Sequence, residues 1–175
     1  MNTSRSLSRL ISQGFVAALS SSAVVFAALA FVAPSTVFAY DVNSTSVVNV
    51  DAKGVGIHGY DPVAYFNKAA PVKGDAKFHA KHAGVTYHFS SSQQRDLFVA
   101  QPDKYAPQYG GFCAMGVALG KKLDGDPEAW RVVDGKLYLN VNKDVQQKWL
   151  TDVPGNLQRA GDEWPKIKDK APKAL

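Results

Sequence analysis

The chain has 175 residues, of which 20 are Lys or Arg and 15 are Asp or Glu, and it carries a formal net charge of +5 and a single cysteine. This length fits one domain of ordinary size that buries enough apolar surface to fold unaided. The positive surplus is small and is spread along the chain without a basic block, which argues against nucleic acid or an anionic membrane surface as a partner.

Residues 1–39 have the composition of a secretory signal peptide. They contain Arg5 and Arg9 but no acidic side chain, and an apolar run broken only by serines follows at residues 15–33. A retained anchor helix is the alternative, since the run approaches the roughly 20 residues that a membrane span needs. We predict cleavage after Ala39 and a periplasmic or secreted protein of 136 residues with a net charge of +3 and no membrane attachment.

The segment that follows is predicted to be an N-terminal extension over residues 40–54, with a β-prone run at residues 47–50. The glycines at residues 54–59 then match the spacing of a dinucleotide-binding fingerprint. That fingerprint requires its third glycine in a long helix that faces a pyrophosphate. Here Asp61 and Pro62 follow at once, as the N-cap and first residue of a short helix, so no nucleotide site is predicted.

Two hairpins are predicted further along the chain. Short β-prone runs flank Ala83-Gly84 at residues 78–82 and 85–89, and residues 131–133 and 137–139 flank Asp134-Gly135, which tolerates the positive φ values of a tight turn. The remaining predictions are a helix from the serines at 90–92 to Gln101, an irregular loop at 102–111, a helix or strand at 112–119, a helix from 143 to about 152, and a final turn or two carrying Leu157, Ala160 and Trp164.

These elements predict an α+β fold, a single small domain with short antiparallel hairpins and several short helices. The Lys-rich end at residues 166–175 has no apolar stretch to bury and is predicted to be a flexible tail.

Several stretches of the sequence stand out together: GYDPVAYF at 59–66, YHFS at 87–90, RDLF at 95–98, PDKYAPQYGGFCA at 102–114 and LYLN at 137–140. Over residues 55–165 they resemble the exported YHS-domain proteins of bacteria. The resemblance implies a small α+β module, and because related members in metal-transport and metal-resistance proteins are thought to bind metal through cysteines, it implies a link to copper or another soft cation.

The chain departs from the cysteine-bearing members of that family at the expected ligands. Their hairpin strand runs Tyr, aromatic, Cys, Ser and then a second Cys, whereas this chain has Ser90 followed by Gln93 or Gln94. The thiolate pair is therefore absent, and the metal assignment does not transfer directly to this sequence.

Other soft or borderline ligands remain in the chain, and imidazole, thiolate and thioether groups together suit copper or zinc. The candidate metal ligands are Cys113, His79, His82, His88 and Met115. Each histidine has the alternative interpretation of an ordinary surface or hydrogen-bonded residue. Cys113 has three alternative interpretations. It is a buried inert thiol, a redox-active or dimerising thiol, or a nucleophile for which no orienting partner is evident.

Two functions follow from these observations. The first is an exported, non-catalytic module that binds or passes on a transition metal, copper or zinc. The second is an accessory domain that binds a partner protein or a small apolar ligand without metal, with Cys113 structural or redox-active. An enzyme is not favoured, because no acid and base pair stands out at a sensible spacing.

Overall fold

The computed structural model describes residues 40–175, and the predicted signal peptide lies outside the described residues. The elements in chain order are α1 (Ala64–Asn67), β1 (Asp75–His82), β2 (Val85–Phe89), α2 (Ser92–Ala100), α3 (Pro102–Tyr105), α4 (Ala114–Ala118), β3 (Asp126–Val133), β4 (Lys136–Asn140), α5 (Lys143–Leu150) and α6 (Val153–Ile167), with 3-10 turns at Ile57–Gly59, Gln108–Gly111 and Pro172–Ala174. Two antiparallel two-stranded sheets, β1–β2 and β3–β4, stand among short helices. The predicted α+β fold is confirmed.

Both hairpins turn at residues with positive φ. Ala83 and Gly84 have φ values of 48° and 80°, and Asp134 and Gly135 have values of 49° and 70°. These values match the primed turns that suit the right-handed twist of a hairpin. The strand pairings confirm both predicted hairpins. They could be predicted because their turn residues are visible in the sequence.

One face of each hairpin packs into a shared apolar core. In β2 the buried side chains alternate with half-buried ones, as a period of two requires. The core cluster contains Ile57, Val63, Tyr65, Val85, Tyr87, Phe89, Phe98, Tyr105, Leu137 and Leu139. The opposite face of β2, which carries His88, is therefore directed away from this core.

Several elements differ from the sequence predictions. The β-prone run at 47–50 forms only an isolated bridge between Val50 and Gly56. Residues 102–111, predicted to be a loop, contain α3 and a 3-10 turn, since Pro102 fits the first turn of a helix. The segment predicted to form a final turn or two forms the 15-residue helix α6, which accommodates Pro154 in its first turn.

The Lys-rich end of the chain has more packing partners than its composition suggests. Helix α6 continues past Pro165 to Ile167, which is buried in a second apolar cluster with Phe112 and α4. The backbone N–H of Lys173 donates to the carbonyl of Val42 at 3.0 Å. These residues therefore have packing partners from distant parts of the sequence, whereas the flexibility of the tail stays a prediction.

Lys122 connects both ends of the described chain to the domain. The residue is 1% exposed, and its ammonium donates to the carbonyls of Ser46 at 2.7 Å and of Lys168 and Lys170 at 2.9 Å each. It also lies 4.8 Å from the centroid of the Phe112 ring. An ammonium has three N–H groups, so all of them have a carbonyl acceptor.

A search for membrane spans among the described residues found no helix of sufficient length and apolar character.

Candidate functional site

The outer face of the first hairpin carries two histidines directly opposite each other. His79 of β1 is the register partner of His88 of β2. Opposite residues of an antiparallel pair project from the same face, with Cβ atoms about 4.5–5.5 Å apart. His79 is exposed and His88 is half-buried. Two imidazoles therefore lie within reach of one ion at the surface.

A backbone hydrogen bond fixes the tautomer of His79. Its Nδ1 lies 2.9 Å from the carbonyl oxygen of Ala76, within the irregular register between Asp75 and His79. Because a carbonyl oxygen only accepts, Nδ1 carries the proton, and the neutral ring has its lone pair on Nε2. Metal-binding histidines commonly donate their other ring N–H to a carbonyl in this way.

His88 packs closely against two glycines. A Cβ on Gly74 would lie 2.5 Å from the carbonyl carbon of His88, and a Cβ on Gly59 would lie 3.3 Å from its Nδ1. Burial, and next the neighbouring His79, lower the pKa of His88 below its ordinary value. His88 is therefore neutral at pH 7, which is the form of imidazole that binds a metal.

A pocket of about 200 Å³, here called the histidine pocket, adjoins His88. It is lined by Asp51, Lys53, Val55, His58, Gly59, Lys73 and His88. The segment before His58 reaches this position because Val55 forms a parallel bridge with Thr86 of β2. His88 is the residue that the pocket shares with the histidine pair.

His58, on the wall of the pocket, belongs to a polar network with Asp124 and Asn49. The His58 Nε2 lies 3.0 Å from Asp124 Oδ1, which also accepts from Asn49 Nδ2 at 2.6 Å. The hydrogen bond to Asp124 raises the pKa of His58. Burial alone raises the pKa of Asp124, but the hydrogen bonds from His58 and Asn49 outweigh it, so this pKa lies below its ordinary value.

The backbone at His58 adopts an uncommon conformation. Ile57 and His58 have φ values of 51° and 49°, a left-handed region that is rare for a β-branched residue such as isoleucine. Lys73 donates from Nζ to the His58 carbonyl at 2.6 Å. Residues in this region cost about 1–3 kcal/mol and are often found at functional sites. The rest of the fold therefore holds His58 in place on the pocket wall.

Cys113, a predicted metal ligand, is fully buried and caps a helix. It is the N-cap of α4, and its Sγ accepts from the Gly116 N–H at 3.3 Å. The Asn140 Oδ1 lies 3.8 Å from this sulfur and accepts from the Met115 N–H at 3.3 Å. Burial raises the pKa of Cys113 despite hydrogen bonds from neighbouring N–H groups. In the structure Cys113 has the environment of a structural thiol.

The other two predicted ligands are engaged elsewhere. The His82 Nε2 lies 3.0 Å from Asp103 Oδ1, on the face of β1 opposite to His79. Met115 packs against the cluster around Trp149. Among residues 40–175, no three His, Cys, Asp or Glu side chains lie in an arrangement that could hold one metal ion. Of the five candidate ligands, the hairpin register brings only His79 and His88 together.

The sequence showed His58 as one of four histidines that could be soft or borderline ligands, but it placed neither His58 nor Asp124 nor Lys73 in a site. His58 lies in the glycine-rich segment at 54–59, and Asp124 is 66 positions away. Their proximity depends on how the extension packs beside β2, for which no local sequence pattern exists.

A second and larger pocket of about 440 Å³ lies within the N-terminal extension and is called the extension pocket. It is lined by Tyr40, Asp41, Val42, Asn43, Ser44, Val48, Asn49, Val50, Asp51, Ala52 and Phe112. Its walls combine valine and aromatic side chains with polar ones, and the ring of Tyr40 meets that of Phe112 edge-on.

The chain was compared with protein-family models, curated proteins and solved structures. No family model, no curated protein and no solved structure matches it. Any function assigned to the domain must therefore be argued from the geometry of its own residues.

Proposed function

We propose that the domain is an exported, non-catalytic module that binds a divalent transition metal, copper or zinc, through His79 and His88. The observation that carries this proposal is the register of the first hairpin, in which the two imidazoles are directly opposite. Imidazole nitrogen is a preferred ligand of both metals. The backbone hydrogen bond of His79 uses its Nδ1, so that its Nε2 is the ring nitrogen placed to bind a metal, and the lowered pKa of His88 favours the neutral form of that ring.

The proposed site is smaller than the set of ligands that the sequence suggests. Cys113 and Met115 lie at α4, and His82 pairs with Asp103, so we leave these three out of the site. The resemblance to YHS-domain proteins suggests a transition metal as the bound species, but the cysteine pair of that family is absent here, so the proposed site is argued from the two histidines alone. Two protein ligands leave the remaining positions of the metal to water or another small molecule.

Thermal unfolding of the exported protein, expressed as the full chain, tests the proposal. A ligand that binds only the native state adds about 2.7 kcal/mol of stability at a free concentration 100 times its Kd. We expect Cu²⁺ or Zn²⁺ to raise the melting temperature of the wild type but not of His79→Gln or His88→Gln. The matched control is His82→Gln, which removes a histidine from the other face of the same strand.

Equal metal-dependent shifts in the wild type and in both pair variants would show that the metal binds elsewhere. No shift with either ion in the wild type would refute metal binding.

The second candidate function is the binding of a small apolar ligand in the extension pocket. The pocket's volume and its valine and aromatic walls favour it. Indole is a suitable probe, and we expect it to raise the melting temperature of the wild type and of His79→Gln equally, but not that of Val50→Asp. An equal effect of indole on the Val50→Asp variant would contradict this candidate.

A further inference from the structure

We propose that the histidine pocket holds the carboxylate of a small chelating acid, such as an α-amino acid, so that the metal is bound together with that acid as a ternary complex. This inference rests on the proposed function, since it assigns the ligand that completes the coordination of a metal on His79 and His88. It names a small chelating acid as the molecule that fills the metal positions left open by the two protein ligands.

The first step is the number of protein ligands. His79 and His88 supply two nitrogen donors, and the described residues contain no third acidic, histidine or cysteine side chain placed to join them in a metal site. Zinc is usually four-coordinate in proteins, and copper(II) binds four ligands in a square. Two positions would therefore remain on either metal, and a chelator with one amine and one carboxylate supplies two donors.

The second step is the position and size of the pocket. His88 lines it, so a molecule in the pocket lies beside the metal. A volume of about 200 Å³ corresponds to roughly six or seven water molecules at about 30 Å³ each. This is enough room for a small amino acid. Gly59 adds no side chain on this wall, and a Cβ there would lie 3.3 Å from His88 Nδ1.

The third step is charge. Two lysines, Lys53 and Lys73, line the pocket against one carboxylate, that of Asp51. The Asp51 Oδ1 already accepts from the N–H groups of Lys53 at 2.8 Å and Val55 at 2.9 Å. His58 is paired with Asp124. The lining is therefore suited to an anionic group, although it adjoins a pair of imidazoles suited to a cation.

The ammonium of Lys73 is held in place before any ligand binds. It donates to the His58 carbonyl at 2.6 Å and lies 4.5 Å from the centroid of the Tyr60 ring. A positioned charge loses less conformational entropy when it meets an anion than a mobile one does. Pairing of a metal-bound carboxylate with this lysine would stabilise the ternary complex over the binary one.

Native mass spectrometry and calorimetry of the exported protein test the inference with Cu²⁺ and glycine as probes. Cu²⁺ is titrated first without glycine and then with glycine in excess. The variant is the double substitution Lys53→Gln and Lys73→Gln. The matched control is Lys136→Gln with Lys148→Gln, two exposed lysines that do not line the pocket, and the melting temperature of each variant verifies its fold.

We expect the wild type and the control to retain protein, Cu²⁺ and glycine in a 1:1:1 complex. The pocket variant should retain glycine about tenfold less well, yet bind Cu²⁺ alone at least as tightly as the wild type, because two positive charges near the ion are gone.

Three results would contradict the inference. If Cu²⁺ binds to the protein and excess glycine only removes it, the ternary complex does not exist, and the proposed metal site stands alone. If Cu²⁺ does not bind in the first titration, the proposed function fails, and this inference fails with it. Equal retention of glycine by the wild type and the pocket variant would refute the role of the two lysines.

Discussion

Replacement of Lys122 by methionine tests the packing of the chain ends most sharply. The substitution keeps an unbranched side chain one atom shorter and removes its charge and its three hydrogen bonds to Ser46, Lys168 and Lys170. Each hydrogen bond to a charged group contributes about 1.5–3 kcal/mol, so the three give a gross upper limit of about 4.5–9 kcal/mol. Burial of the ammonium costs several kcal/mol, and burial also lowers its pKa.

The net loss expected for Lys122→Met is about 3–5 kcal/mol, because three carbonyl acceptors lose their donor at about 1–3 kcal/mol each, while the cost of burying the ammonium is recovered. For a domain of this size, 1 kcal/mol corresponds to about 4 °C in melting temperature, so we expect a fall of about 12–20 °C. Urea unfolding followed by circular dichroism gives the free energy directly. The neighbouring Lys121→Met is the control, because the Lys121 side chain is exposed and its ammonium donates to the carbonyl of Leu175 instead of to three buried carbonyls.

A loss below about 1 kcal/mol in Lys122→Met, similar to that of the control, would refute this reasoning. It would mean that desolvation of the ammonium cancels its three hydrogen bonds, and that other contacts hold the two chain ends.

Three further predictions concern the site and its surroundings. Asp124 raises the pKa of His58, so the stability that this pair adds is complete below the ordinary pKa of histidine and is lost as the pH rises through the folded pKa. In urea unfolding, the free-energy difference between His58→Gln and the wild type should therefore be largest in acid. A difference that does not change with pH would contradict this prediction. Gly74→Ala should cost about 1–3 kcal/mol, because its Cβ would meet the backbone of His88 at 2.5 Å, and unchanged urea stability would refute that contact. Cys113→Ser should leave the metal-induced rise in melting temperature unchanged, since the sulfur caps a helix, whereas loss of the rise would return Cys113 to the metal site.

The parts of the fold that could be predicted are those whose signals are local. The Asp134-Gly135 turn, and the cap at Ser91, whose side chain accepts from Gln94, are written within a few residues of the elements that they define. The undecided segment at 112–119 forms α4 at Ala114–Ala118, and the cap at Cys113 has no strong sequence signal.

The parts that could not be predicted depend on contacts between distant residues. The three carbonyls that accept from Lys122 lie 46, 48 and 76 positions away in sequence. The sequence around the Lys-rich end therefore does not reveal what that end packs against. Likewise, the histidines are visible in the sequence, but only the strand register separates His79 and His88, which lie opposite each other, from His82. A register slip of one residue would have placed His88 opposite a different residue.

The most direct test of the metal site is pulsed electron paramagnetic resonance of the exported protein with one equivalent of Cu²⁺. The method counts imidazole nitrogens bound to copper and distinguishes them from sulfur. The proposed site predicts two imidazoles in the wild type, one or none in His79→Gln, and two in His82→Gln. Sulfur ligation, or a wild-type spectrum that persists unchanged in His79→Gln, would contradict the assignment of the metal to the first hairpin.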